Sequence, residues 1–304
     1  MSIFLSAPLR VILFIGGLMA ALLPRRAELW LGPRLGRLVL ACGGFKRRIA
    51  ADNIRRCFPE LDLQGRRDLL VRNFEHYGML FFEFLHFFCP LPGHYRSYAR
   101  RVSRLVGREH WDRAHAKGKG IIFVACHIGF WEMLAAAGGL AGFAPLVVTK
   151  VLKPAWLNAK ITACRLSTGV RAAYHPGSVP QILRELRRGG SVAFMNDQYA
   201  RPPMGIPVPF FGVKPNTLAA VAPIAQRTGA AIVPVSCYRD EDGVSVVVVE
   251  PELDLGPALS DTEKATAILA ARVETWVRRH PEQWLWIHRR FKNAIWPEDD
   301  AERA

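Results

Sequence analysis

Cysteine is sparse and scattered in this chain of 304 residues. Its six cysteines (Cys42, Cys57, Cys89, Cys126, Cys164 and Cys237) form no Cys-x-x-Cys pair. That spacing speaks against a structural zinc site and a disulfide framework, and it fits a reducing compartment. A Gly-rich phosphate or dinucleotide loop is also missing, because Gly138-Gly139 and Gly189-Gly190 lack the required spacing. No serine or cysteine stands in a nucleophile-elbow context. There is no internal repeat and no low-complexity tract. Acidic residues are the scarcer charge, 26 against 41 Lys and Arg, which leaves a net +15. A mean hydropathy of +0.10 is too low for a multi-span membrane protein. With 50% hydrophobic and 22% charged residues, the chain can bury a sizeable core and is not disordered.

The positive charge is unevenly placed. Residues 1–120 carry 21 basic and 9 acidic side chains, whereas 121–304 carry 20 and 17. Such asymmetry points to an anionic partner: nucleic acid, an acidic protein or anionic lipid. The N-terminus chooses among them. Residues 11–23 contain no charge, and from Ile3 to Leu23 only Arg10 interrupts the apolar run, near the ~20 residues that span a bilayer. No small-x-small cleavage site followed by an acidic start is visible, so a retained anchor over residues 1–24 is favoured over a cleaved signal peptide. Arg25, Arg26, Arg34, Arg37, Lys46, Arg47 and Arg48 follow, as in a cytoplasmic juxtamembrane stretch facing anionic inner-membrane lipids. Nucleic acid is disfavoured, because no nucleic-acid motif accompanies the charge.

After the anchor, residues 25–119 read as a basic, aromatic helical region. A short helix over 46–58 ends at Phe58-Pro59, and a longer one runs over 65–88. Phe74, Phe81, Leu85 and Phe88 share one face of it, and Phe82, Phe84 and Phe87 widen that face. Two readings stand: a buried core helix, or one that touches lipid or lines an acyl groove. From residue 120 the pattern changes. Strands over 121–125, 146–149, 170–174, 191–195, 231–236 and 244–250 alternate with helices over 130–140, 155–168, 179–188, 217–228 and 261–279. This predicts an α/β fold, a largely parallel or mixed sheet flanked by helices, with 25–304 forming one compact domain.

His127 follows the first of these strands directly, where ligand sites of open α/β sheets gather. Glu132 lies five residues on, one turn into a helix, from where its carboxylate is expected to reach back to the imidazole. A neutral His can take a proton from an alcohol, and a carboxylate fixes its tautomer. An incidental pair is the alternative reading. Asp197 likewise follows an apolar strand, and its alternative is a helix cap. Arg165 suits a phosphate, a developing oxyanion or simply a solvated helix face. Residues 208–212, bracketed by Pro and Gly, form either a wall of a ligand site or a rigid buried loop. The 288–292 run HRRFK, beside Trp284, Trp286 and Trp296, suits a membrane interface, an anionic ligand or a plain basic tail.

The His127-to-Glu132 spacing, with Gly129 and Trp131 between, resembles the signature of the glycerolipid acyltransferase superfamily. ADNIRRCFPE at 51–60, Glu83, Asp197-Gln198 with VPFFG at 208–212 and Thr217, and PEQWLWIHRRFK at 281–292 together resemble the lipid A biosynthesis acyltransferases that add lauroyl or myristoyl chains. Phe130 departs from the asparagine common there. The resemblance implies His127 as general base with Glu132 as its partner. Arg165, Asp197, Gln198, Phe210, Phe211 and Gly212 would contact substrate. It further implies an O-acyl transfer with no cofactor and no metal, in a monomer at the cytoplasmic side of a bacterial inner membrane. Acyl carrier protein would be the donor and a lipid A precursor glycolipid the acceptor. Acyl-CoA with a phosphatidylinositol mannoside is the alternative pair, and a non-catalytic lipid-binding module is a further one.

Overall fold

The computed structural model of the chain describes residues 3–296. It opens with five helices: α1 (Ile3–Leu22), α2 (Arg25–Ala41), α3 (Arg47–Cys57), α4 (Leu63–Leu85) and α5 (His94–Val102). Pro24, extended at φ −66° and ψ 144°, separates the first two. Asp62 caps α4 by accepting from the Gly65 amide at 2.7 Å, which satisfies one of the free donors at a helix start. Helices α2 and α4 cross at van der Waals distance because glycine faces backbone there. A methyl group on Gly36 would lie 2.0 Å from the Phe74 carbonyl, and one on Gly78 would lie 2.0 Å from that of Gly32.

The expected membrane-spanning anchor is not met. Among the described residues, no helix is long and apolar enough to cross a membrane. Helix α1 carries Pro8 and Arg10 and lies against α4 and the 3-10 turn His86–Phe88. Its outer face leaves Val11, Ile12, Ile15 and Met19 exposed. Residues 25–41, read from sequence as a charged juxtamembrane stretch, form a packed helix instead.

Beyond α5 the chain runs β1 (Ser103–Val106), α6 (Arg108–Ala116), β2 (Ile121–Ala125), α7 (Trp131–Leu140), β3 (Leu146–Lys150), α8 (Ala155–Ser167), β4 (Arg171–His175), α9 (Val179–Arg187) and β5 (Ser191–Met195). A short hairpin, β6 (Gly205–Pro207) and β7 (Asn216–Leu218), precedes α10 (Val221–Thr228), β8 (Ala231–Arg239), β9 (Ser245–Val249) and α11 (Thr262–Arg279). Seven strands order as β1-β9-β8-β2-β5-β3-β4. All neighbours are parallel except the antiparallel pair β8 and β9, so the sheet is mixed, as expected from strands alternating with helices.

Most expected strands appear within a residue or two. Helix 217–228 does not: Thr217 belongs to β7, and the helix begins at Val221. The cause is tertiary, because Ile206 pairs with Thr217 while the Thr217 hydroxyl accepts from Arg290 at 2.6 Å. Side chains alternate across the sheet. Ile122, Val124 and Phe194 pack with Ile182 and Ile224 on one face, and Phe123, Ala125 and Val233 pack with Phe143 on the other. The C-terminal segment returns to the N-terminal helices. Asn53 Nδ2 donates to the Trp286 carbonyl at 2.8 Å and Asn73 Nδ2 to that of Trp284 at 2.8 Å.

Candidate active site

Strands β2 and β5 are parallel neighbours with Ala125 opposite Met195. His127 and Asp197 therefore both lie two residues past the same rung, at the carboxyl edge where ligand sites form. The Asn196 amide extends the ladder by donating to the Ala125 carbonyl at 2.8 Å. Asp197 is 2% exposed and fully engaged. Its Oδ1 lies 2.8 Å from His127 Nδ1, while Oδ2 accepts from the His127 amide at 2.9 Å and from Trp284 Nε1 at 2.8 Å. Burial alone would raise the carboxyl pKa, but the His127 charge and these hydrogen bonds outweigh it and bring the group down to about 2. With Nδ1 donating to Asp197, Nε2 is the free basic atom of the ring. Gln198 Nε2 stands 3.5 Å from it.

Here the structure corrects the expected pairing. Glu132 does not reach His127. It receives Arg165 in a two-pronged contact, Nε at 3.0 Å and Nη2 at 2.6 Å, the strong geometry for a guanidinium and a carboxylate. Burial would lower the Arg165 pKa, yet the Glu132 hydrogen bonds and charge raise it. Glu132 thus tethers an arginine and not the histidine. Gly129 makes the turn between His127 and Glu132 possible: its φ is +60°, and a Cβ there would lie 2.4 Å from the Cys237 carbonyl. Only glycine fits both demands.

A cavity of about 1180 Å³ opens at this edge, with His127, Trp131, Glu132, Arg165 and Gln198 in its wall. Most of the remaining lining is apolar and includes Phe84, Phe123, Val147 and Ile182. Of the aromatic helix α4, Phe84 reaches the cavity while Phe74 and Leu80 are buried in the core. Cys126 lies next to His127, but burial pushes its thiol well above the usual value, which keeps it from acting as a thiolate.

Phe210, Phe211 and Gly212 do not line the cavity. They are the hairpin turn between Phe210 and Val213, which exchange backbone hydrogen bonds at 2.8 and 3.3 Å. Phe211 and Gly212 both take positive φ, as a tight hairpin turn demands. The Phe210 ring centroid lies 5.8 Å from that of Trp284, so this turn backs the tryptophan that holds Asp197. Phe130 is likewise fully buried, 5.0 Å from the Phe84 ring centroid, and its departure from the family's asparagine falls in the core.

The terminal block holds what sequence reasoning missed. Arg290 was grouped with a solvent- or membrane-facing run, yet it is 0% exposed. Its Nη1 donates to the carbonyls of Gln198 and Asn216 at 3.2 and 2.7 Å. Burial lowers its pKa to about 10, and the charge of Asp197 opposes the fall. Arg289 and Lys292 alone of that run's cations face solvent. The signal was the tryptophan pair Trp284 and Trp286 inside a basic stretch, since large aromatics mark burial rather than a tail.

Comparison with known proteins gives the family. A family model described as bacterial lipid A biosynthesis acyltransferase matches residues 4–293. The lipid A biosynthesis lauroyltransferase of Escherichia coli K12 is 29% identical over 269 residues, 86% of this chain and 84% of that protein. The palmitoleoyltransferase of the same strain is 27% identical over 274 residues, covering 89% and 86%. A phosphatidylinositol mannoside acyltransferase of Mycobacterium tuberculosis is 29% identical over 220 residues, covering 71% and 68%. The family match runs through every element that builds the His127 edge, and the chain belongs to the bacterial lipid A biosynthesis acyltransferases.

Proposed function

We propose that this acyltransferase moves a lauroyl- or myristoyl-type chain from acyl carrier protein to a hydroxyl of a lipid A precursor. One observation carries the reading: a histidine, locked on its Nδ1 side by a buried carboxylate, lines a large and mostly apolar cavity. His127 Nε2 takes the proton of the acceptor hydroxyl as that oxygen attacks the thioester carbonyl carbon. The tetrahedral intermediate collapses, the carbon–sulfur bond breaks, and the proton on His127 passes to the departing thiolate. An ester and a free thiol remain. Asp197 stays ionised throughout, orients the imidazole and stabilises the imidazolium. Arg165, held by Glu132, supplies positive charge for the developing oxyanion. No residue of the protein becomes acylated.

The basic first 120 residues support an acidic donor protein and a phosphate-bearing acceptor. The enzyme works at the cytoplasmic face of the inner membrane, lying on the lipid rather than crossing it. Exposed Ile12, Ile15, Met19 and Trp30 on α1 and α2 support this placement, together with Arg34, whose guanidinium lies 3.8 Å above the Trp30 ring. The test is mass spectrometry of products after incubating the full chain with an acyl-carrier-protein thioester and a lipid A precursor that carries hydroxyacyl chains. Acceptor mass should rise by one acyl group. Transfer from acyl-CoA to a phosphatidylinositol mannoside, with none to the lipid A precursor, would overturn the proposal.

A further inference from the structure

On the strength of that acyl-transfer reading, we infer that the cavity has two arms, one on each face of the sheet, and that the arm beside β7 and α9 receives an acyl chain of the acceptor.

Strand periodicity carries the inference. Ala193, Phe194 and Met195 are consecutive on β5, and all three line the cavity. Successive side chains of a strand point to opposite faces, so the space must exist on both sides of β5. The packing partners agree. Ala193 and Met195 lie with Phe123, Ala125 and Phe143, whereas Phe194 lies with Ile182, Ile224 and Leu218 on the opposite face. Val147 and Val148, adjacent on β3, line it as a second such pair. A volume of about 1180 Å³ exceeds the roughly 300–1,000 Å³ of single-ligand pockets.

The arms differ in chemistry. The first lies between the sheet and α7, with small residues Ala125, Gly138 and Ala193 giving room. The Phe123 and Phe143 rings, 5.9 Å apart, stand toward its inner end. The four residues from His127 back to Phe123 span at most ~14 Å, a depth that suits a medium-length saturated chain beside the reacting carbonyl. The second arm runs under the β6–β7 hairpin between Ile182, Leu218 and Ile224. Exposed Lys150 and Arg201 stand at the cavity's rim, and the one acid in the lining, Glu132, is bound by Arg165. A cationic mouth above an apolar arm suits a phosphorylated glycolipid whose hydroxyl-bearing chain lies inside. His127 sits at the edge the two arms share, so the acceptor hydroxyl and the donor carbonyl meet there.

The test uses the full chain in detergent. Gly138→Leu should fill the first arm, because a Cβ at Gly138 meets only the Phe143 ring, at 3.4 Å. Leu218→Trp should fill the second, with Ala219→Leu as a milder substitute should the tryptophan variant fail to fold. Native mass spectrometry with dodecanoic acid should find two bound chains in the unaltered protein and one in each variant. In transfer assays, Gly138→Leu should shift the donor optimum to shorter chains. Leu218→Trp should keep the donor profile but lower kcat/KM about tenfold for long hydroxyacyl acceptors, the effect of expelling roughly two methylenes, with recovery on shorter ones. One bound chain in the unaltered protein, or both variants shifting the donor profile alike, would overturn the two arms. Two bound chains with no transfer to any hydroxylated glycolipid would instead reject the acyl-transfer reading, and the acceptor assignment with it.

Discussion

Two buried carboxylates in this molecule do opposite things. Asp197 and Glu83 are both shielded from solvent, at 2% and 0% exposure, and both have their pKa brought down by the groups that bind them, against the effect of burial. Glu83 on α4 is bound by Arg239 from β8 and by Arg25 from α2, the latter at 2.8 Å. Arg239 also touches His76, and Arg25 reaches Glu28, which in turn holds His86 at 2.7 Å. That network faces inward and stitches the helices to the sheet. Asp197 instead binds a histidine that keeps 15% of its side chain exposed and opens onto a cavity. A perturbed buried charge therefore does not by itself mark a reaction centre. What distinguishes the two is whether the partner can lend a proton site to something outside.

His127→Ala should break the comparison hardest on the Asp197 side. Transfer should fall by 10²–10⁴-fold, the contribution of a general base, while the melting temperature falls by only a few degrees, because Asp197 keeps the backbone amide of residue 127 and Trp284 as donors. Steady-state rates and thermal melts on the same preparation check this, and near-full turnover by the folded variant would dismiss His127 as the base. Glu83→Gln should do the reverse. Removing one partner of a buried pair costs about 3–5 kcal/mol, so stability should drop sharply while the rate per folded molecule changes little. A selective loss of rate with unaltered melting would place Glu83 in the chemistry instead.

The acid limb of stability should report on Asp197. Its folded pKa of about 2 lies below the ordinary 3.8, so the ionised form stabilises the fold by roughly 2 kcal/mol. For a depressed carboxyl this contribution is complete above pH ~4 and is lost as pH falls through about 2. Asp197→Asn should flatten the denaturation profile in that window. An unchanged profile would mean the carboxylate is not held as the geometry shows. Smallest is Trp284→Phe, which removes one of three hydrogen bonds to Asp197 at a cost of about 1 kcal/mol. It should lower kcat with KM nearly unchanged and move the pH dependence of kcat, whereas a purely packing role would shift only the melting point.

Much of the sheet was legible because short, nearly continuous apolar runs that start just after a glycine have few alternatives: 121–125 and 191–195 coincide with β2 and β5. Strand β1 escaped, being four residues with alternating exposure and an arginine in it. Helix α2 falls in the stretch read as helical and juxtamembrane, but the packing of its glycine face on α4 is visible only in the structure. His127, Asp197 and Arg165 were each legible as candidates from their positions after strands or beside a helix end. Their pairing was not. Glu132 was near His127 in sequence and was assigned to it, whereas the structure joins residues 70 apart.

Sequence alone determined the local matters: short apolar runs that make strands, apolar periods that make helices, a glycine at position 129 that permits a sharp turn, and a cationic first two fifths. Those depend on neighbours within a few residues. Tertiary structure decided which carboxylate serves the histidine, because only the adjacency of β2 and β5 carries Ala125 and Met195 onto one rung. It also decided that Arg290 is interior and Lys292 exterior, and that apolar space opens on both faces of β5. Strand order and burial are sums over many distant contacts, each worth little, and no short stretch of chain encodes them.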